Sequence, residues 1–152
     1  MIRRARLIAV VTALAAGALG VISSTQTWLT VVLDDGAGHA LAVPGAAAIP
    51  VLAPLSLAVL ALGGALSIVG RVLRYAFGIL TVAIALALGI LTWQVVADAG
   101  TRHVASTVTA STGISGDAAV TELVATITPS AWPIATLAGW LVLLAAGILT
   151  LA

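Results

Sequence analysis

The stretch YAFGILTVAIALALGILTWQVV, from Tyr75 to Val96, decides the fold class of this chain. It contains no Asp, Glu, Lys, Arg or His, and it is long enough to cross a hydrocarbon core about 30 Å thick as a helix that rises about 1.5 Å per residue. Three further stretches qualify in the same way, from about Leu7 to Ile22, from about Pro50 to Val69, and from Trp132 to Ala152. The chain is therefore predicted to be one integral membrane domain over residues 1–152, an all-α bundle of four transmembrane helices.

The composition of the whole chain agrees with this prediction. Of its 152 residues, 62% are hydrophobic and 7% are charged, whereas about 25% are charged in an ordinary soluble domain. So few polar residues could not cover the surface of a soluble protein, and disorder requires low hydrophobicity with high charge. A net charge of +1 without a large basic cluster predicts no nucleic-acid partner. The absence of cysteine excludes disulfides and thiolate chemistry in this chain.

The arginines predict the orientation of the spans. Arg71 and Arg74 lie between the second and third spans, three arginines precede the first span, and Arg102 alone lies elsewhere. Because basic residues stay cytoplasmic, both termini and the Arg71–Arg74 turn are predicted to be cytoplasmic in an inner (plasma) membrane. The loops from about Ser23 to Ile49 and from about Ala97 to Ala131 are then extracytoplasmic, and they carry all the acidic residues. The three N-terminal arginines are Arg3, Arg4 and Arg6.

Both ends of the chain leave an alternative open. The first span also fits a cleaved signal peptide, because it has a basic start, an apolar core and the small residues Ala18 and Gly20 near its end. Retention is favoured, since the apolar run continues through Ile22 without a clear Ala-x-Ala site. The sequence stops within the fourth span, at Ala152, so we expect the natural protein to continue into a cytoplasmic tail.

The two long loops are predicted to contain small structured elements. In the first, β-prone runs from Trp28 to Leu33 and from His39 to Val43 flank a Gly- and Asp-rich turn, which predicts a short extracytoplasmic β-hairpin. An isolated hairpin is marginal in water, so it must lean on the bundle or on the second loop. In the second loop, apolar residues recur at helical spacing and Asp117 could cap a helix, which predicts a short amphipathic helix. Those apolar residues are Val120, Leu123, Val124 and Ile127.

Small residues spaced by four predict close helix packing within the bundle, because lipid tails offer no hydrophobic drive between helices. They occur in every span. The pairs are Ala13 and Gly17, Ala61 and Ala65, Ala85 and Gly89, and Ala135 and Gly139.

The chain offers few groups for chemistry. Candidate metal ligands are scattered over the two loops without the i, i+4 spacing of a metal site, so no metal, cofactor or catalytic site is predicted, and the two histidines are expected to be solvated. These candidates are Asp34, Asp35, His39, Asp98 and His103. The spans contain no ionisable residue, which argues against a self-contained proton-driven pump. Gln94 is predicted to lie near the outer interface beside Trp93.

Two segments carry a family resemblance. One runs from Ser23 to Val31 and includes Gln26 and Trp28; the other runs from Thr128 to Pro133 and opens the fourth span with Trp132. With the order of spans and loops, they make the chain similar to the tryptophan-operon-associated, or tryptophan-biosynthesis-associated, transmembrane proteins of actinobacteria. The resemblance implies a genomic link to tryptophan synthesis and supplies no catalytic residue. The two Trp residues are interpreted as interfacial anchors in preference to a ligand pocket.

Three functions are compatible with these observations. The favoured one is a non-enzymatic accessory or scaffold protein with a membrane or tryptophan-pathway partner. The second is a small exporter or channel for tryptophan, indole or a related metabolite, with a path near Trp93 and Gln94. The third is an envelope interaction protein that acts through its outer loops, by architectural analogy with claudin-like proteins. The candidate ligand or interface residues are Gln26, Trp28, Trp93, Gln94, Trp132 and Pro133. The sequence does not indicate an oligomeric state.

Overall fold

The computed structural model describes residues 2–34, 40–97 and 103–151, and it is mostly helical with one small antiparallel sheet. Within these residues the helices are α1 (Ile2–Thr25), α2 (Gly45–Ala48), α3 (Leu52–Leu66), α4 (Arg71–Ala97), α5 (Ala105–Thr112), α6 (Asp117–Leu123) and α7 (Trp132–Leu151). The strands are β1 (Thr27–Leu33), β2 (Ala40–Pro44) and β3 (Val124–Pro129).

Three of the described helices, α1, α4 and α7, are long and apolar enough to cross a membrane. They cover the first, third and fourth predicted spans. The second predicted span forms α3, which has only 15 residues. At about 1.5 Å per residue this helix is about 22 Å long, shorter than the hydrocarbon core of about 30 Å.

The helix is therefore shorter at both ends than the predicted span of about Pro50 to Val69. Pro50 precedes the helix, and Pro54 occupies the first turn, where a missing N–H costs no hydrogen bond. At the other end, the Ser67 hydroxyl donates to the Gly64 carbonyl oxygen at 2.5 Å, and the Ser67 N–H donates to the same oxygen at 3.2 Å. These local bonds compete with continuation of the helix.

The long helices pack side by side. α1 lies along α3 and α7, and α4 lies along α7 with a smaller contact to α3. A Cβ atom at Gly17 would lie 2.9 Å from the backbone nitrogen of Leu60, so the absence of a side chain there allows α1 and α3 to approach closely. Gly89 behaves differently, because a Cβ atom there would meet no described atom within 4 Å. The small-residue spacing thus predicted a tight contact correctly in α1 but not at Gly89.

The start of α1 lies beside the turn between α3 and α4. The Arg6 side chain donates from Nε to the Leu66 carbonyl oxygen and from Nη2 to the Val69 carbonyl oxygen, both at 3.0 Å. It thereby satisfies carbonyl groups that the end of a helix leaves without partners. Because Arg71 and Arg74 follow the same turn, we call this end of the molecule the arginine end.

The opposite end, which we call the sheet end, carries the three strands. β1 is central and pairs antiparallel with β2 on one side and β3 on the other. The predicted hairpin of the first loop is confirmed as β1 and β2, while its turn, including Asp35 and His39, lies outside the described residues. The second loop supplies β3, which gives the otherwise marginal hairpin a third strand.

The predicted amphipathic helix of the second loop is only partly correct. A helix does begin at Asp117, but Gly116 rather than Asp117 occupies its N-cap position, and it ends at Leu123. Val124 and Ile127 belong to β3. This segment is rich in β-branched residues, which favour strands, and the Asp34 N–H donates to the Leu123 carbonyl oxygen at 2.6 Å where the pairing begins.

One hydrophobic core runs from the sheet into the helices. Trp28, Leu29 and Val31 of β1 belong to the same buried cluster as Trp140 and Leu143 of α7. The Trp140 side chain is almost fully buried. The sheet is thus an extension of the helical core.

Candidate functional site at the sheet end

Trp28 is the central side chain of the sheet end. Its ring is fully buried, and its indole Nε1–H donates to the Ser23 carbonyl oxygen at 3.0 Å and to the Ser23 hydroxyl oxygen at 2.8 Å. A Cβ atom at Gly45 would lie 2.7 Å from Nε1, so Gly45 leaves the space that the indole needs. The interpretation of Trp28 as an interfacial anchor is therefore wrong, because the ring lies within the protein.

Ser23 extends this contact to the last long helix. Its hydroxyl shares a hydrogen bond of 2.6 Å with the Thr136 hydroxyl, and both residues are buried. The end of α1 is thereby joined to the first turns of α7 and, through Trp28, to β1. A buried hydroxyl needs such a partner, because leaving it unpaired would cost roughly 1–3 kcal/mol.

The second family-like segment meets the first at the same place. The Ser130 N–H donates to the Trp28 carbonyl oxygen at 2.8 Å, and the Ser130 hydroxyl donates to the Thr27 carbonyl oxygen at 2.7 Å. The Trp132 N–H in turn donates to the Ser130 hydroxyl at 3.3 Å, where α7 begins. We refer to Ser23, Trp28, Ser130 and Thr136 as the Trp28 clamp.

The other predicted residues of these two segments surround the clamp. Gln26 contributes through its backbone, since its N–H donates to the Ser23 carbonyl oxygen and its carbonyl oxygen accepts from the Gly45 N–H, both at 3.1 Å. Pro133 is buried in the first turn of α7, where proline is tolerated. Trp132 is half-buried and packs against the core. Four of the six candidate residues therefore come together at the sheet end.

Sequence reasoning missed the polar partners in this cluster. Ser23 and Ser130 stand within the family-like segments but were given no role, and Thr136 and Gly45 lie outside them. The position of Thr136 could have indicated its role. It lies one helical turn after Trp132, so its hydroxyl is on the same face of the helix as the Trp132 side chain.

Trp93 and Gln94 are exposed residues of α4 and are not part of the Trp28 clamp. Trp93 lines an apolar groove of about 310 Å³ between α4 and α7 together with Gly89 and Trp140, while Gln94 is not part of its lining. The Trp140 indole Nε1–H is buried and meets no acceptor among the described residues. The lining of the groove is therefore apolar. One of its lining residues, Trp140, has an indole N–H without a hydrogen-bond acceptor among the described residues.

The candidate metal ligands are not assembled in the part of the chain that the structure describes, where no group of three His, Cys, Asp or Glu side chains could hold a metal ion. Asp34 follows β1, and Asp98 lies outside the described ranges. His103 is 8% exposed. The expectation of a solvated His103 is wrong, because the side chain lies against the core beside the buried Val104.

Apolar helices of membrane-spanning length, joined to a sheet that shares their core, define a multi-pass membrane protein. The family comparison is specific: a family model described as tryptophan-associated transmembrane protein matches residues 9–152. The chain belongs to that family, as the sequence resemblance predicted. Comparison with curated proteins and with solved structures finds no match to this chain.

Proposed function

We propose that the protein is a four-helix inner-membrane protein with both termini in the cytoplasm and the sheet end outside. The support is the charge distribution, because five of its six arginines are placed at the arginine end and basic residues remain cytoplasmic. On this proposal α3 is the second span. Apolar residues on both sides of it, such as Ile49 and Val69, extend its 15 helical residues across the membrane.

We further propose that it acts as a non-enzymatic accessory or scaffold protein in tryptophan metabolism. One observation carries this proposal: the residues of the family-like segments form the Trp28 clamp, which fixes a small sheet to the helices. The edge strands β2 and β3 frame that sheet, and exposed residues of β3 such as Thr126 offer a surface to a partner protein. An unpaired strand edge is a ready site for pairing with another chain.

Deletion of the gene in its host tests the metabolic link. We expect slow growth that added tryptophan restores, and we expect the wild-type gene to restore growth without it. A Trp28→Ala gene should not complement the deletion, because the sheet would lose its anchor, whereas a Trp93→Ala gene should complement fully. Equal growth of the deletion strain with and without tryptophan would contradict the proposal and would favour an envelope partner instead.

The groove between α4 and α7 favours a second candidate function, the binding and passage of an aromatic metabolite such as tryptophan or indole. Small-molecule sites are lined mostly by hydrophobic and aromatic side chains, and the lining of this groove is apolar and includes Trp93 and Trp140. Gly89 faces open space in this groove, so Gly89→Leu should fill it without a clash. Gly64→Leu is the matched control, because Gly64 also faces open space but lies on α3.

Indole flux in liposomes tests this second function. Vesicles that contain wild-type or Gly64→Leu protein should release trapped indole faster than protein-free vesicles. Vesicles that contain Gly89→Leu protein should release it no faster than protein-free vesicles. Flux equal to that of empty vesicles for the wild type would contradict it. Failure of complementation by Trp93→Ala in the growth experiment would favour this function over the scaffold.

A further inference from the structure

The arginine end has an excess of positive charge. Five described arginines lie there, whereas the described acidic residues, Asp34, Asp117 and Glu122, belong to segments of the sheet end. Cationic side chains near a membrane surface attract anionic lipids. General attraction of this kind needs no defined site, so the geometry around individual arginines decides whether a site exists.

Two of the arginines line one cavity. Arg6 and Arg74 border a space of about 60 Å³ between the start of α1, the start of α4 and the end of α7. A space of this size exceeds what a single water needs, so a small anionic group can enter it. Arg6 is held in place by the Leu66 and Val69 carbonyl groups.

Arg74 has an unmet requirement. Its Nε–H is buried, and it meets no acceptor among the described residues, although a guanidinium donor without a partner is costly in a buried position. The guanidinium carbon also lies 5.8 Å from the centre of the Tyr75 ring, within the range of a cation–π contact. The Arg74 residue lines the cavity, so an anion there would lie beside a guanidinium group whose hydrogen-bonding capacity is not fully used.

A second, larger space along α1 also has Arg6 in its lining. This groove of about 370 Å³ is lined by Arg3, Arg6 and Ser67 and by the apolar side chains of Leu7 and Val10. Leu7 is well exposed. A charged cavity that shares a wall with an apolar groove matches a molecule with an anionic head and a hydrocarbon body.

We propose that the arginine end is a binding site for an anionic phospholipid, with the headgroup phosphate between Arg6 and Arg74 and an acyl chain along Leu7 and Val10. Guanidinium groups bind phosphate oxygens through short, charge-assisted hydrogen bonds in a fork geometry. The first turn of α4 adds the positive end of a helix dipole. This site is independent of the scaffold and transport functions proposed above.

The test uses the full chain purified in an uncharged detergent and titrated with phosphatidylglycerol or phosphatidylcholine, with bound lipid counted by native mass spectrometry. We expect phosphatidylglycerol to bind at least about tenfold more tightly than phosphatidylcholine. Arg74→Gln should weaken phosphatidylglycerol binding about tenfold, since it removes a charged donor. Arg71→Gln removes the same charge from an exposed position in the same turn and should change binding by less than about twofold.

Arg74→Lys keeps the charge but not the fork, so its affinity should fall between those of the wild type and Arg74→Gln. Equal losses for Arg71→Gln and Arg74→Gln would overturn the proposal in favour of diffuse surface charge. Equal affinity of the wild-type protein for phosphatidylglycerol and phosphatidylcholine would by itself overturn the proposal. Inorganic phosphate binding as tightly as phosphatidylglycerol would show a site for the free anion and would overturn the assignment to a lipid.

Discussion

Trp28 acts as a buried hydrogen-bond donor at the residue scale. Its indole Nε1–H satisfies the last turn of α1, and its backbone carbonyl oxygen accepts from Ser130 before α7. Large aromatic residues contribute much of the apolar area in a protein core, and buried Trp usually also finds an acceptor. Trp28 thus joins two distant parts of the sequence. A Phe at this position would keep the apolar packing but would lose the hydrogen bond from the indole to Ser23.

Trp28→Phe should lower the free energy of unfolding by about 1–3 kcal/mol, because it removes the donor to Ser23 and leaves a small cavity. Ser23 keeps its bonds to Gln26 and Thr136, which limits the loss. Denaturant unfolding in detergent micelles measures the change. Trp93→Phe is the control: Trp93 is 58% exposed, so its replacement should stay within about 0.5 kcal/mol of the wild type. Equal effects of the two substitutions would contradict the role given to the Trp28 indole.

At the element scale, β3 determines whether the sheet has two strands or three. The Ser130 N–H points to β1, where it meets the Trp28 carbonyl oxygen. Because N–H groups alternate in direction along a regular strand, and the pairing of β1 with β3 is regular from Pro129 to Thr126, the Thr126 N–H also points to β1. The Thr126 side chain is exposed. Proline is tolerated in an edge strand only where the missing N–H would have faced solvent.

Thr126→Pro should therefore lower the protection of β1 amides against hydrogen exchange by about tenfold, equivalent to the loss of about one net hydrogen bond. Thr126→Ala, which changes the same exposed side chain but keeps the N–H, should leave that protection nearly unchanged. Hydrogen exchange followed by mass spectrometry in micelles measures both. Unprotected β1 amides in the wild type would contradict the third strand, and equal effects of the two substitutions would contradict the role given to the Thr126 N–H.

At the scale of the whole molecule, the two ends of the bundle should lie on opposite sides of the membrane. The chain has no cysteine, so single cysteines report their side without background. Ser115→Cys, in the exposed coil between α5 and α6, should react with an impermeant maleimide in intact cells. Gly70→Cys, in the exposed turn at the arginine end, should react only after permeabilisation. The reverse pattern would invert the proposed orientation, and labelling of both from outside would show that α3 does not cross.

The apolar runs predicted three membrane-length helices to within a few residues, because each run is uniformly apolar and contains no Asp, Glu, Lys, Arg or His. The helix predicted over segment 120–127 was only partly correct, since the apolar spacing of this segment fits a helical period while its Val, Thr and Ile residues favour a strand. Pairing with the open edge of β1 decided between them. Such tertiary context overrides local preference.

The Trp28 clamp could be predicted only in part. Gln26, Trp28, Trp132 and Pro133 stand out in the sequence, and the structure brings them together. Gly45 does not stand out, because nothing local marks a glycine as the space for an indole. Thr136 is marked only as a hydroxyl one helical turn after Trp132, and not as the partner of a serine 113 residues earlier. Burial of Trp28 was missed for the same reason, since a Trp beside a membrane span usually indicates the interface.

The separation of Ser23 from Thr136 also has a consequence for biogenesis. A ribosome that adds roughly 5–20 residues per second needs roughly 5–25 seconds to progress from one to the other. A hairpin such as that of β1 and β2 can form within microseconds but is marginal alone, and one edge of β1 stays open until β3 has been made. The newborn chain therefore lacks the third strand for most of that interval, and this is the period in which chaperones, proteases or a second nascent copy have their access to it.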